Sequence, residues 1–327
     1  MKKILTVIVP VYNMEEYLQR CLNSLIVSED LMKQIEIIVI NDGSSDNSLS
    51  IMNEYGKKYP DSFLIVNKEN GGHGSAWNVG LKLAKGKYLR FLDSDDWFDT
   101  DVFAEYIKEL MNSSADLLIT KYVQEDMETN EQEIRGSDIE YGKDFELSEI
   151  GDGNEFGSFA LHVSTYKTEN LRKCGAHFRE KVSYDDCPIN IFALCFTKKI
   201  SSRDFKLLHY LRGREGQSMD KAVIKRKFSQ MIMSLQDSCD AYKKCYNFID
   251  PHLKELAKRQ VGLLFDLFCR IAQENLPTSE WIYYIYQIRK ISLSLPFINE
   301  KSKEMKAWNR YPFWPYAIYR IIRRSHK

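Results

Sequence analysis

The 327-residue sequence predicts an α/β fold, with a mostly parallel sheet flanked by helices and a helical C-terminal region. Short apolar segments alternate with polar loops and helical segments as far as about residue 120, and this repeat is typical of a parallel, doubly wound sheet. Residues 35–40 read IEIIVI. A strand without a polar side is expected where helices cover both faces of the sheet. From Lys221 to about Leu295 the apolar spacing is almost purely helical.

The strands of the first half follow one another at regular intervals. They are predicted at 4–9, 35–40, 63–66, up to Leu92, and 115–120. Polar loops and helices separate them. The first helix is expected to begin at Asn13, because Glu16 three residues later completes a capping pattern.

The second half changes in composition. Residues 122–156 are acidic and rich in turn residues, and we interpret them as an exposed excursion with edge strands or a lid. Residues 157–218 return to strand and helix patterns. The helical region then has three long segments, broken near Asp250-Pro251 and Leu276-Pro277. The predicted domains are therefore 1–218 and 219–327.

Charge and cysteine content exclude several classes of protein. Lys plus Arg equals Asp plus Glu at 46 each, so no global field indicates a nucleic-acid partner. The seven cysteines form no C-x-x-C pair and fit reduced packing residues of a cytosolic protein. The apolar N-terminal run ends at Pro10, too early for a signal peptide, and no stretch approaches the roughly 20 apolar residues of a membrane span. We expect a cytoplasmic location.

The final stretch, 305–327, mixes aromatic residues with Arg and Lys. A basic aromatic helix can lie on an anionic bilayer, which would place the protein at the inner face of the membrane. The alternative is a helix that packs its aromatic side chains on the helical region and leaves its arginines in water. Both interpretations stay open at this point.

An acidic motif follows the strand that ends at Leu92. Asp93 and Asp95 are two residues apart, so on an extended backbone they would point to the same side. Two adjacent carboxylates suit Mg²⁺ or Mn²⁺, with phosphate oxygens as further ligands. The alternative is an acidic turn that caps the next helix through Asp99 or Asp101. Because Asp99-Thr100-Asp101 repeats the triplet, only the position at the carboxyl end of a buried strand favours a ligand site.

The order of motifs resembles the family 2 glycosyltransferases, which have the GT-A (Rossmann-like) nucleotide-sugar fold. The resemblance covers roughly residues 4–218 and rests on four blocks in sequence. They are VIVPVYNMEEYLQRCLNSL, IIVINDGSSDNS, NGGHGSAWNVGLKLAKGKYLRFLDSDDW, and KVSYDDCPINIF followed by YLRGREGQSM. It implies an inverting, metal-dependent transfer from a nucleoside diphosphate sugar, with UDP the expected nucleotide. The implied acceptor is a hydroxyl of a glycan or lipid-linked glycan in cell-surface polysaccharide synthesis.

The resemblance also implies roles for individual residues. Asp42 would recognise the nucleobase, with a helix N-cap as the alternative role. Asp95 would bind the metal, Mn²⁺ or Mg²⁺, and the diphosphate, Asp93 would hold the ribose or the metal, and Asp96 would support them. Glu16 would bind either the ribose or only its own helix start. The implied donor-binding residues are Pro10, Val11, Tyr12, Glu16, Asp42, Gly72, His73, Asn78, Asp93, Ser94, Arg212, Arg214, Gln217 and Ser218.

The acceptor hydroxyl needs a base, because an alcohol is a weak nucleophile until its proton is removed. The base of the family aligns best with Asp186, and Asp185 is the close second choice. Two carboxylates at a helix start are also an ordinary N-terminal charge pattern.

One departure from the family pattern concerns the donor. Trp77 stands where the family commonly has an arginine, and tryptophan cannot pair with a diphosphate. This departure keeps open a nucleotide-sugar-binding module without turnover. A second alternative is a nucleotidyltransferase, whose sheet and metal-binding aspartates can look similar and which would release pyrophosphate. The sequence does not identify the donor sugar or the acceptor.

Overall fold

The structure is a computed structural model, and it describes residues 3–150 and 159–310. The N-terminal half alternates strands and helices as predicted. The elements are β1 (Leu5–Val11), α1 (Glu15–Asn23), α2 (Glu29–Met32), β2 (Ile35–Asp42), α3 (Ser48–Lys58), β3 (Phe63–Lys68), α4 (His73–Leu83), β4 (Tyr88–Phe91), β5 (Trp97–Phe98), α5 (Thr100–Asn112) and β6 (Leu117–Asp126).

The excursion after residue 121 contains edge strands, as predicted. The following elements are β7 (Gln132–Arg135), β8 (Asp144–Glu146), β9 (Ser164–Lys167), α6 (Thr168–Lys173), α7 (Ile189–Phe192) and β10 (Lys199–Arg212). The C-terminal part is helical: α8 (Lys221–Cys245), α9 (Lys254–Asn275), α10 (Thr278–Ser292), α11 (Ile298–Lys301) and α12 (Lys303–Arg310). The long helices α8, α9 and α10 are separated at the two predicted proline breaks.

The strands form one sheet with the order β3-β2-β1-β4-β9-β6-β10-β5, while β7 pairs with β6 and β8 with β10. The β3-β2-β1-β4 half is parallel, and β6 and β10 are also parallel to each other. Strand β9 lies between β4 and β6 and is antiparallel to both. The carboxyl ends of β1, β2 and β4 therefore lie along one edge of the sheet.

Side chains of the central strands alternate between two cores. Val7 and Val9 of β1 contact a core that contains α1 and α5, whereas Ile8 lies in the core on the other face, with α4 and the C-terminal helices. All seven side chains of β1 are buried. Helices thus cover both faces of the sheet, which explains why β1 and β2 are largely apolar. Their buried polar residues Thr6 and Glu36 are paired, since Thr6 Oγ1 donates to Glu36 Oε2 at 2.8 Å.

Two local predictions are wrong. Asn13 does not cap α1; its φ is 53° and its Oδ1 accepts a hydrogen bond from Ser45 N at 2.8 Å. The chain after β4 does not stay extended through Asp95, because Asp96 N donates to Asp93 O at 3.1 Å and closes a turn. Asp93 and Asp95 consequently have separate partners. The division at residue 218 stays a prediction, and residues 311–327 of the predicted tail lie outside the described residues.

Candidate active site

The turn that follows β2 brings Asp42 against the glycines before α4. Asp42 is buried, and its carboxylate accepts hydrogen bonds from Gly71 N at 2.9 Å and from Gly72 N at 2.8 Å. Lys68 Nζ lies 2.6 Å from Asp42 Oδ1. The sequence interpretation did not include Lys68, although β2 and β3 are neighbours and these two residues pair in register. Asp42 thus holds the glycine turn in place, and its predicted contact with a nucleobase stays a prediction.

The shelf predicted beside Asp42 is only partly exposed. Pro10 and Val11 are buried in β1, which ends next to β2. Tyr12 follows directly and is 51% exposed. Only the Tyr12 ring, of these three side chains, is therefore available to stack on a flat ligand at the carboxyl edge of the sheet.

The four residues 93–96 each have a different environment. Asp93 is partly exposed, and its Oδ1 lies 3.0 Å from His73 Nε2. Ser94 is buried. Asp95 accepts a pair of hydrogen bonds from Arg214, at 3.0 Å from Nε and 2.9 Å from Nη2, to its Oδ2. Asp96 is buried and its Oδ1 accepts from Leu211 N at 2.9 Å, which ties this turn to the end of β10.

Burial and neighbouring charges shift the pKa values of Asp96 and Asp93 in opposite directions. Burial, followed by the charges of Asp95 and Asp93, raises the pKa of Asp96 well above its usual range. For Asp93, burial acts to raise the pKa, but the hydrogen bond with His73 and the charges of His73, His162 and Arg214 together outweigh burial, and the pKa is lowered. Asp93 is therefore the partly exposed carboxylate of the turn, and Asp95 is buried against Arg214. This pair of hard oxygen donors fits a divalent cation that takes further ligands from phosphate.

The glycine turn also contacts the second acidic segment, 183–186. Gly72 has a φ of 83°, and Lys181 N donates to Gly71 O at 2.7 Å. A Cβ atom on Gly74 would lie 2.4 Å from Asp185 Oδ2, so any larger residue there would displace Asp185. Asn78 fixes the same contact, because its amide donates to Phe178 O at 2.8 Å and accepts from Phe178 N at 2.9 Å. Asn78 therefore positions the loop before Asp185, and a direct contact with donor stays a prediction.

His73 lies between the two acidic segments. Its Nε2 contacts Asp93 and its Nδ1 is 3.7 Å from Asp185 Oδ1. Burial alone would lower the pKa of His73, but the contacts with Asp185 and Asp93 outweigh burial and raise it well above its usual value. The imidazole rests on Trp77, with ring centroids 4.0 Å apart. Trp77 is buried among aromatic side chains, so it supports His73 from the core.

The two candidate bases differ in access. Asp185 is buried, and within residues 3–150 and 159–310 its Oδ2 has no hydrogen-bond partner. Asp186 is partly exposed. Burial, followed by the charge of Asp185, raises the pKa of Asp186 to about 6. A carboxylate with this pKa is a proton acceptor suited to neutral pH.

The segment that follows β10 packs against Asp95. Besides Arg214, Gln217 Nε2 is 3.4 Å from Asp95 Oδ2 and donates to Leu211 O at 2.7 Å. Ser218 O accepts a hydrogen bond at 2.5 Å from the Tyr184 hydroxyl. Arg212 is exposed. The structure thus brings the predicted residues of this segment, with the exception of Arg212, into contact with the two acidic segments.

A groove of about 770 Å³ borders the same turn but is separate from these carboxylates. Its lining includes Glu16, Arg20 and Trp97, and it includes neither Asp93 nor Asp186. The guanidinium of Arg20 lies 3.6 Å from the centre of the Trp97 ring. Glu16 therefore lies on the outer side of the turn, and its predicted ribose contact stays a prediction.

The sequence model described as Glycosyl transferase family 2 matches residues 6–173, which is more than half of the chain. The chain belongs to glycosyl transferase family 2. The matched part contains Asp42 and the 93–96 turn, whereas Asp185, Asp186 and Arg214 lie beyond it.

Curated relatives of this family 2 glycosyltransferase include glycosyltransferase GlyA of Streptococcus pneumoniae, 42% identical over 118 residues, which are 36% of this chain and 16% of GlyA. Poly(ribitol-phosphate) beta-glucosyltransferase of Bacillus spizizenii is 28% identical over 67% of this chain and 34% of that protein. Glycosyltransferase GlyG of S. pneumoniae is 29% identical over 67% of this chain and 74% of GlyG. The chain thus spans only part of several relatives that it matches.

Solved structures confirm the predicted GT-A fold. The crystal structure of Staphylococcus aureus TarS 1–349 in complex with UDP-GlcNAc superposes with a TM-score of 0.57 at 19% identity, over 94% of this chain and 92% of that chain. At this identity the similarity establishes the fold alone. Among the described residues, no helix is long and apolar enough to cross a bilayer.

Proposed function

We propose that this protein is an inverting, metal-dependent glycosyltransferase that uses a UDP-sugar and acts on a hydroxyl of a cell-surface glycan. One observation carries the proposal: His73 joins Asp93, on the donor side, to Asp185, which is next to the accessible carboxylate of Asp186. The names of the relatives, which include poly(ribitol-phosphate) glycosyltransferases, support a cell-surface polymer as acceptor. The UDP-GlcNAc bound to TarS supports a UDP-sugar as donor.

In this proposal each acidic group has one task. Asp93 and Asp95 would hold Mn²⁺ or Mg²⁺, which when bound neutralises charge on the departing diphosphate. Arg214 is positioned to donate to phosphate oxygens once Asp95 is engaged by the cation. Asp186 would accept the acceptor hydroxyl proton, and a single displacement without an enzyme nucleophile inverts the anomeric centre.

A panel of nucleotide sugars with Mn²⁺ tests the proposal. We expect slow release of UDP from one UDP-sugar, and release of pyrophosphate instead would indicate a nucleotidyltransferase. Asp186→Asn should bind UDP normally in calorimetry and lose transfer at least about 100-fold, the usual contribution of a general base. Asp101→Asn, at an exposed position on α5, is the matched control. Full activity of Asp186→Asn would exclude Asp186 as the base, and an inactive panel would contradict the proposed activity.

We also propose that residues 305–327 contact a lipid surface on the cytoplasmic side. The support is their basic and aromatic composition, together with the exposed apolar side chains of Tyr283, Tyr286 and Leu293 on and after α10. Met305 itself is buried, so a truncation after Arg310 preserves the described packing. In flotation with anionic liposomes, the full chain should rise with the liposomes and the truncated chain should not. Equal behaviour of the two proteins would contradict this contact.

A further inference from the structure

Three cysteines form a cluster away from the candidate active site. The sulfur atoms of Cys174, Cys195 and Cys245 lie within 4.8 Å of one another, and all three residues are buried. They are far apart in sequence and come from different elements. Within residues 3–150 and 159–310, this is the one group of three or more potential metal-binding side chains so closely spaced.

Each cysteine lies at the C-terminal end of a helix. Cys174 directly follows α6, Cys195 follows α7, and Cys245 is the last residue of the 25-residue helix α8. Helix ends leave carbonyl oxygens without intrahelical partners. Cys174 Sγ is 3.2 Å from Leu171 O and Cys195 Sγ is 3.5 Å from Ile191 O. The end of a long helix such as α8 also carries partial negative charge, which favours a cation.

The geometry suits a soft metal ion. With a metal–sulfur distance of about 2.3 Å, three thiolates around one ion are about 4 Å apart, so the observed cluster needs shifts of less than about 1 Å. Thiolates select soft cations over Mg²⁺ and Mn²⁺. Packing alone would not require three thiols from three elements to meet.

A cation and a backbone bridge lie next to the cluster. Lys244 is exposed and its Nζ donates to Gly175 O at 3.1 Å, next to Cys174 and Cys245 in the chain. Cys195 forms an isolated antiparallel bridge with Ile249, which follows α8. The cluster therefore lies buried where the loop after α7 meets the end of α8.

We propose that Cys174, Cys195 and Cys245 form a structural site for one soft cation of the Zn²⁺ and Cd²⁺ class. The ion joins α6 and α7 of the α/β part to the end of α8 in the helical part. This site is independent of the proposed glycosyl transfer.

Cadmium titration of the full chain tests the site. The protein is reduced, treated with a chelator and titrated without oxygen, in an Asp95→Asn background that removes the carboxylate site. We expect one Cd²⁺ per chain, a thiolate-to-metal charge-transfer absorption and a higher melting temperature. Cys195→Ala should weaken binding at least tenfold. Cys239→Ala, a fully buried cysteine of the same helix α8, should bind like the parent.

Three results would overturn the proposal. The first is that the parent protein shows no charge-transfer absorption with Cd²⁺. The second is that the Cys195→Ala and Cys239→Ala variants bind Cd²⁺ with equal affinity. The third is that two thiols are lost in air at the same rate with and without Cd²⁺. The last result would indicate a disulfide. If Cys195→Ala fails to fold by circular dichroism, Cys245→Ser gives the same comparison.

Discussion

Asp185 and Asp186 are adjacent in the chain but differ in environment. Asp185 lies against Gly74 and His73, where its side chain is 2% exposed. Asp186 is accessible, and burial together with the charge of its neighbour raises its pKa to about 6. The assignment of Asp186 as the base, with Asp185 as the second choice, stays a prediction.

The pKa of Asp186 leads to a prediction for the pH profile. If Asp186 is the base, the transfer rate should be constant above about pH 7 and fall about tenfold per unit below about pH 6, because the protonated acid cannot accept a proton. Initial rates at saturating donor, with UDP affinity measured over the same range, separate this effect from binding. A rate that stays flat between pH 5 and 7 would contradict it.

The same shift has a consequence for stability. The folded state holds the Asp186 proton more tightly than the unfolded chain, whose carboxyl pKa is near 3.8. The contribution of this group to stability is therefore complete below about pH 4 and is lost as pH rises through 6. Asp186→Asn should be more stable than the parent at pH 7 and similar to it at pH 4. Urea unfolding at the two pH values measures this difference, and an equal difference at both would contradict it.

Asn78 gives a prediction about loop positioning. Its amide makes two hydrogen bonds to the backbone of Phe178, a residue 100 positions away. Asn78→Ala leaves both backbone groups without these partners, and we expect a loss of about 1–3 kcal/mol in unfolding free energy. Asn112→Ala removes one exposed hydrogen bond within α5 and should change stability by less than about 0.5 kcal/mol. Urea unfolding of both variants checks this, and equal losses would contradict the role of Asn78.

At the scale of elements, periodicity was sufficient to predict most helices and strands. The central strands are apolar because both faces are covered, and α8, α9 and α10 are separated where prolines interrupt the spacing. The failures are at connections. Asn13 bonds to the loop after β2, which a local capping pattern does not reveal. The turn at 93–96 forms because Asp96 is bonded to Leu211 N, which lies 115 residues further along the chain.

The second D-x-D triplet, Asp99-Thr100-Asp101, caps a helix. Helix capping was the structural alternative to a metal site in the sequence analysis. Asp99 is the N-cap of α5, and its Oδ1 accepts from Val102 N at 2.9 Å. Asp99→Ala should lower the unfolding free energy by about 1 kcal/mol and leave the Mn²⁺ dependence of transfer unchanged. Asp101→Ala, in the first turn of the same helix, is the control and should cost less. A shifted Mn²⁺ dependence in Asp99→Ala would show that this triplet contributes to the metal site.

At the scale of the whole molecule, one core spans the sheet and the C-terminal helices. Ile8 of β1, Trp77 of α4 and Phe228 of α8 belong to the same cluster of buried apolar residues. This arrangement argues that the two predicted domains unfold together, since separating them would expose a shared apolar surface to water.

Phe228→Ala tests this coupling. Phe228 is fully buried and contacts Tyr284 of α10, with ring centroids 4.7 Å apart. We expect a loss of about 3–5 kcal/mol and a single unfolding transition at a lower temperature. Met233→Ala, 45% exposed on the same helix, is the control and should have little effect. Two separate transitions in Phe228→Ala would show that the C-terminal helices unfold independently.

The candidate site was predictable as a set of residues but not as an arrangement. Sequence motifs were enough to identify four of its carboxylates: Asp42, Asp93, Asp95 and Asp186. The contact of His73 with Asp185 joins residues 112 positions apart, and the single sequence contains no signal for it. Trp77 similarly looked like a departure at a ligand site, whereas it packs in the core beneath His73.

The contacts of Arg214 and Gln217 with Asp95 make the segment after β10 a competitor for any cation that binds there. Both side chains contact Asp95 Oδ2. A cation that binds Asp95 Oδ2 has to displace the Arg214 and Gln217 side chains. Part of its intrinsic binding free energy is therefore used to move the segment. The apparent affinity for the ion is then lower without donor than with it, because donor phosphates offer the displaced arginine a new partner. The ion and the donor would consequently bind cooperatively, each increasing the occupancy of the other.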